Sequence, residues 1–242
     1  KEGFDLLAVV HGETSTGMVN DLSGLSELCR RKALLFIVDA VSTLGGLPLA
    51  VDELGIDFCI SASQKALGSL PGLAIVSTSQ RGWEAMPAEG EIKGWYLNLR
   101  TWASYEKEWG DWHPYPVTLP VHLLFCLDKA LEIVLREGLE ARWERHRRVC
   151  EELQEKLEEL GTRLFIKEKE NRLATVTAGV LPSGRESQEL QRHLRENFGV
   201  FIAGGVGPLR KRIFRVGHMG YSAQTRLVNR VIAGIRDFLA QG

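Results

Sequence analysis

The sequence predicts an α/β fold: a mostly parallel sheet with flanking helices, followed by a smaller carboxy-terminal α/β domain. Three observations predict it. Short apolar runs in the first eighty residues lack the polar alternation of a half-exposed strand. Polar residues cluster directly after three of those runs, where ligands sit in open α/β sheets. A long helical pattern then leads into a second stretch of alternating strands and helices. Residues 1–140 read as a partial large domain and residues 141–242 as the small one.

The elements follow in order. Leu6–Val10 is an apolar strand ending in His11 and Gly12. Leu22, Leu25 and Leu28 recur at helical spacing within Leu22–Lys32. Buried strands are expected at 34–38, 58–61 and 73–77, in a sheet covered on both faces. Residues 94–120 are rich in Trp, Tyr and Pro without a clear period and read as a connection. Two helices then run to Gly161, the first ending at Glu137, with Gly138 and Gly161 as punctuation. Beyond them, strands are expected at 174–181, 200–203 and 213–216, and helices near 186–197 and 223–239.

Composition excludes several classes. With 44% apolar and 25% charged residues the chain has the make-up of a soluble globular protein. A net charge of −1 gives no reason to expect nucleic acid or an anionic membrane as partner. No run approaches the roughly 18 apolar residues that span a bilayer. Cys29, Cys59, Cys126 and Cys150 are scattered without a C-x-x-C pair, so reduced, packed thiols are expected. His122 and His193 have no partners at metal spacing, and no metal is expected. Arg142, Arg145, His146, Arg147 and Arg148 have acidic neighbours on the same helix and read as a solvated face. The Trp residues suit core and interface packing. No signal peptide leads the chain and no Ser-Lys-Leu address ends it, so the cytoplasm is the expected compartment. The chain starts on Lys1 and enters a strand within five residues, which reads as a fragment or a processed chain.

Two residues past buried strands can carry chemistry. Asp39 can cap the turn that follows it, or hold a cationic partner in a ligand pocket. Lys65 stands between two apolar runs, where desolvation favours the neutral, nucleophilic amine. Neither residue settles the matter alone.

Longer strings say more. They are His11-Gly-Glu-Thr-Ser-Thr-Gly17, Val38-Asp-Ala-Val-Ser-Thr-Leu-Gly-Gly-Leu-Pro48 and Ser61-Ala-Ser-Gln-Lys-Ala-Leu-Gly-Ser-Leu-Pro-Gly72. His113-Pro-Tyr-Pro-Val-Thr-Leu-Pro120, Gly204-Gly-Val-Gly-Pro208 and Phe214-Arg-Val-Gly-His-Met-Gly220 follow in turn. Together, in this order and spacing, they resemble the alanine–glyoxylate and serine–pyruvate aminotransferase family, class-V enzymes of fold type I.

The resemblance implies pyridoxal 5′-phosphate as cofactor and Lys65 as the lysine that carries it as a Schiff base. It implies Asp39 as partner of the pyridine nitrogen, Val41 against the ring face, Thr14 at the phenolic oxygen and Gln64 at the phosphate. Tyr115 and Thr118 resemble the pair that a partner subunit lends to the phosphate, which implies a homodimer with a shared active site. Arg215 resembles the residue that binds the substrate α-carboxylate, with Gly204, Gly205 and Gly207 in the loop facing it. The implied reaction is transamination between a small amino acid (alanine or serine) and the 2-oxo acid glyoxylate or pyruvate. The family's amino-terminal part, which supplies a glycine-rich phosphate segment and a ring-stacking aromatic, has no match here. Other readings keep the fold: a phosphonate aminotransferase, a cysteine desulfurase, or a subunit without turnover. Gln64 before Lys65, where desulfurases have His, weighs against the second.

Overall fold

The computed structural model describes residues 3–87 and 93–241. Lys1 and Gly242, on which the readings of a fragment and of a missing address rest, lie outside them. The chain opens with β1 (Leu6–Val10), the hairpin strands β2 (Gly12–Glu13) and β3 (Met18–Val19), and helix α1 (Leu22–Lys32). Next come β4 (Leu35–Asp39), β5 (Phe58–Ala62) and β6 (Ala74–Thr78). The first sheet has the order β1-β4-β5-β6. β1, β4 and β5 are parallel, in a register that sets Val10 beside Asp39 and Asp39 beside Ile60. β6 returns antiparallel, with Ala62 opposite Ala74.

α1 begins where the Asp21 carboxylate accepts the Ser23 N–H, and its last turn is basic, which suits the helix dipole. Its inner face lays Leu22 and Cys29 over Phe36, Val38 and Cys59. Strand alternation sends Ile37, Phe58 and Ile60 to the other face. There Ile60 and Val76 are 37% and 43% exposed, beneath an open apolar hollow of about 620 Å³. The expectation of a sheet covered on both faces is therefore corrected: among the described residues, one face is sealed and the other only partly roofed.

That partial roof comes from a region expected to be a plain connection. α2 (Gln80–Ala85) precedes that region, which holds α3 (Leu99–Trp109), capped by Asn98. Trp95 and Trp112 are 54% and 76% exposed, so core packing is not their role. Helices α4 (Val121–Glu137) and α5 (Leu139–Glu159) follow as expected.

The rest comprises β7 (Arg163–Leu164), β8 (Val176–Val180), α6 (Ser187–Phe198), β9 (Ala203–Gly204), β10 (Ile213–Gly217) and α7 (Thr225–Ala240). The second sheet runs β7-β8-β10-β9 and is antiparallel throughout. Its core joins Leu153 and Leu157 of α5, Leu190 and Leu194 of α6, and Ile232, Ile235 and Phe238 of α7. Gly234 lets α6 and α7 approach, since a Cβ there would stand 2.2 Å from Leu194 Cδ2. The second sheet also touches the first: Thr175, just before β8, donates its hydroxyl to the carbonyl of Ser42.

Candidate active site

Because β1, β4 and β5 are parallel, the chain leaves all three at the same edge of the sheet. The exits are tied together. His11 N donates to Asp39 O, and Ala40 N donates to Ile60 O. At the first exit, Gly12 lies so close to the next turn that a Cβ would stand 2.6 Å from the Thr43 methyl. His11 Nδ1 is 3.0 Å from the Thr43 hydroxyl, and Ser42 donates its hydroxyl to Gly12 O.

Asp39 is half-buried, and its Oδ1 accepts the Val41 N–H at 2.9 Å. The turn-capping role weighed from sequence is thus present. The following turn winds through Thr43 to Leu47 and presents Gly45 and Gly46 to the third exit. A Cβ on Gly46 would meet the Ala66 methyl at 3.0 Å, and one on Gly45 would meet Leu67 at 2.9 Å. The turns after Asp39 and Lys65 are thereby in direct contact.

Lys65 is half-buried and Gln64 exposed. Their turn is fixed from within: Ser63 Oγ donates to Leu70 O, Ser69 N to Ser63 O, and Gly68 N to Lys65 O. Gly68 has φ 82, a left-handed conformation that glycine adopts without strain. Among the described residues no ion pair engages Asp39 or Lys65.

Arg215 enters from β10. Its Nη1 donates to Thr14 O at 2.7 Å and its Nε to Gly204 O at 2.6 Å. The neighbouring Glu13 carboxylate is held below its usual range by hydrogen bonds from Ser15, with the Arg215 cation adding to them. The structure therefore sets Thr14, Asp39, Val41, Gln64 and Lys65 at the turns along one sheet edge, with Arg215 reaching that edge from β10 through Thr14 O. It does not bring Tyr115 and Thr118 into that set. Tyr115 packs obliquely on the His113 ring at 5.4 Å, and Thr118 is exposed on the approach to α4.

Sequence reasoning missed the polar groups beneath this edge. Arg142, read as part of a solvated face, is 4% exposed and donates to the carbonyls of Gly45 and Ala66. His146, one helical turn on, is fully buried; its Nδ1 meets Arg142 O at 2.8 Å and its Nε2 accepts the Gly220 N–H. Burial pushes its pKa down to about 4. His218, also buried, lies 2.9 Å from the Thr177 hydroxyl and is pushed to about 4, chiefly by burial with His146 adding. The available signal was the spacing of Arg142, Arg145 and His146, which puts them on one side of α5.

Comparison with known proteins identifies the family. The aminotransferase class-V family model matches residues 1–211. Mouse alanine–glyoxylate aminotransferase is 36% identical over 97% of this chain, and the chain spans 57% of that enzyme's length. The crystal structure of a Nostoc alanine–glyoxylate aminotransferase superposes with a TM-score of 0.90 at 36% identity, over 97% of this chain and 62% of the other. Ureidoglycine–glyoxylate aminotransferase of Bacillus subtilis gives 0.89 at 35% identity, over 98% and 60%. A cysteine desulfurase from Thermococcus onnurineus, at 14% identity and a TM-score of 0.77, shares the fold. By its sequence and its fold, the chain belongs to the class-V aminotransferases.

Proposed function

We propose that this chain carries the coenzyme lysine and the carboxylate-binding arginine of a transaminase. Its coenzyme is pyridoxal 5′-phosphate, and it moves an amino group between alanine or serine and glyoxylate or pyruvate. The observation that carries this reading is the delivery of Asp39 and Lys65 from adjacent parallel strands onto turns that touch through Gly46 and Ala66. The donor set fits the coenzyme: an amine, a carboxylate whose Oδ1 alone is taken by the backbone, a hydroxyl on Thr14 and an amide on Gln64.

When bound, the coenzyme supplies a ring that accepts the electrons of a substrate Cα–H bond. Asp39 would keep a ring nitrogen of the bound coenzyme protonated by offering its carboxylate. Lys65 Nζ would hold the coenzyme, and its amine would serve as the base and acid that moves the substrate proton. Arg215 keeps part of its guanidinium for a substrate carboxylate, while Thr14 O and Gly204 O fix its direction. Tyr115 and Thr118 belong to a partner subunit's site in this reading, with a homodimer as the working unit. The free thiols of Cys29, Cys59 and Cys150, all buried, suit a reducing compartment, and the cytoplasm is our assignment.

The test is to add pyridoxal phosphate to the purified chain, reduce with borohydride and map the modified peptide. A single adduct on Lys65 is the expected result. Adducts scattered over surface lysines, or none, would overturn the assignment.

A further inference from the structure

Helix α5 begins behind Gly138, and among the described residues no side chain caps its amino end. Arg142 stands in its first turn, where the helix dipole disfavours a cation. A buried guanidinium is costly unless its donors are met. Here they are met by other segments of the chain. Nε donates to Gly45 O at 2.8 Å, Nη2 to Ala66 O at 2.5 Å, and Nη1 to Glu137 Oε2 at 2.7 Å.

The same turn of α5 reaches a third segment. Glu137 also binds Arg145, whose Nη1 donates to Gly220 O and Ala223 O at 3.0 and 2.8 Å. His146 accepts the Gly220 N–H. Gly220 is seated on the Lys65 turn, since a Cβ there would lie 3.4 Å from the carbonyl oxygens of Lys65 and Ala66.

Resting on the function proposed above, we infer that Arg142 is a positioning residue of the candidate site. Its planar fork spans the carbonyl that follows Lys65 and the turn that follows Asp39, and so sets the two turns in one register. The angle between those two acceptors is fixed by the guanidinium itself, which a lysine cannot reproduce. An error of about 1 Å in such a constellation is enough to cost about a hundredfold in rate.

The test uses the full chain as wild type, R142Q and R142K, with amide hydrogen exchange read before any coenzyme is added. The amides of Gly46, Leu47, Gly68 and Ser69, which bond within the two turns, report on the register. In R142Q their protection is expected to fall about tenfold while the amides of β8 and β10 keep theirs. R142K, which reaches one carbonyl at a time, is expected to loosen one turn and spare the other. The same proteins are then treated with pyridoxal phosphate and borohydride. The share of label on Lys65, relative to the other lysines, is expected to fall about tenfold in R142Q and to recover in part in R142K. Unchanged protection in the turns overturns the inference, and so does an even loss across both sheets, which would mark a general stabiliser. If R142Q does not fold, R142K decides by the same criterion. No Lys65 label in the wild-type chain would overturn the coenzyme reading, and the exchange result would still decide the role of Arg142 in holding the turns.

Discussion

Arg215 and Thr14, 201 positions apart in the chain, meet at 2.7 Å, with the guanidinium donating to the backbone carbonyl. The contact joins the second sheet to the hairpin that follows the first strand. It leaves the side chain of Thr14 free for another partner and sets the direction in which Arg215 points.

Replacing that fork has a defined consequence. R215K retains a cation but cannot hold Thr14 O, Gly204 O and a carboxylate together. In coenzyme-loaded protein we expect KM for the amino-acid or 2-oxo-acid substrate to rise about 10- to 100-fold, the value of a charge-assisted hydrogen-bond pair. Steady-state kinetics with alanine and glyoxylate measures it; an unaltered KM would remove Arg215 from the substrate site.

Gly12→Ala tests the packing of the strand exits. Its Cβ would lie within 2.8 Å of Thr43, Ser42 and Leu173, so either the turn after Asp39 or Leu173 must yield. We expect a loss of about 1–3 kcal/mol in urea unfolding. A midpoint equal to the parent's would show that these turns are looser than the contacts imply.

The pH dependence of stability follows from His146 and His218. Both have folded pKa values lowered to about 4 from 6.5, so the folded state holds them neutral while the unfolded chain binds protons below pH 6.5. Their contribution is complete above pH 6.5 and is lost as the pH falls towards 4. The expected slope is about 1.4 kcal/mol per pH unit for each imidazole. Urea midpoints measured from pH 7.5 to 4.5 check this; a flat profile down to pH 5 would contradict it.

The thiols should divide into one and three. Cys150 is buried between Gln154 and Thr177 and its pKa is pushed up to about 12 by burial. Burial also raises Cys29 and Cys59, the latter with help from the Asp39 charge. Cys126 is partly exposed on α4. A disulfide reagent at pH 8 should therefore titrate Cys126 first in the native chain and reach the others only after denaturation. Rapid reaction at Cys150 would contradict the burial described.

Much of this was legible in the residues. The parallel strands announced themselves because apolar runs such as Leu35–Val38 lack the polar alternation of a half-exposed strand, although Leu6 and Ala8 of β1 prove exposed. Asp39 and Lys65 were visible because each stands next to such a run. α3 was not, since its Trp and Tyr residues are weak helix formers and the aromatic density masked their spacing. The cap at Asn98 and the recurrence of Trp102, Tyr105 and Trp109 carried the signal. Arg142 was misread for a different reason. Charge in a sequence points to water by default, and only the fold supplies the carbonyls of Gly45 and Ala66 that take its place. The open face over Ile60 and Val76 was equally hidden, because apolar strands look the same whether or not something lies on them.

The return of β6 against β5 has one more consequence. Segment 63–73 is closed at its base by Ser63 N on Leu73 O and again inside by Ser63 Oγ on Leu70 O. Its ends are pinned by the pairing of Ala62 with Ala74. Spelling in this segment is therefore negotiable where the side chain is exposed and outside the candidate site, as at Leu70, but length is not. A one-residue insertion or deletion would slide β6 past β5 and turn its side chains to the opposite face. Laboratory diversification of this edge should exchange letters and leave the count untouched.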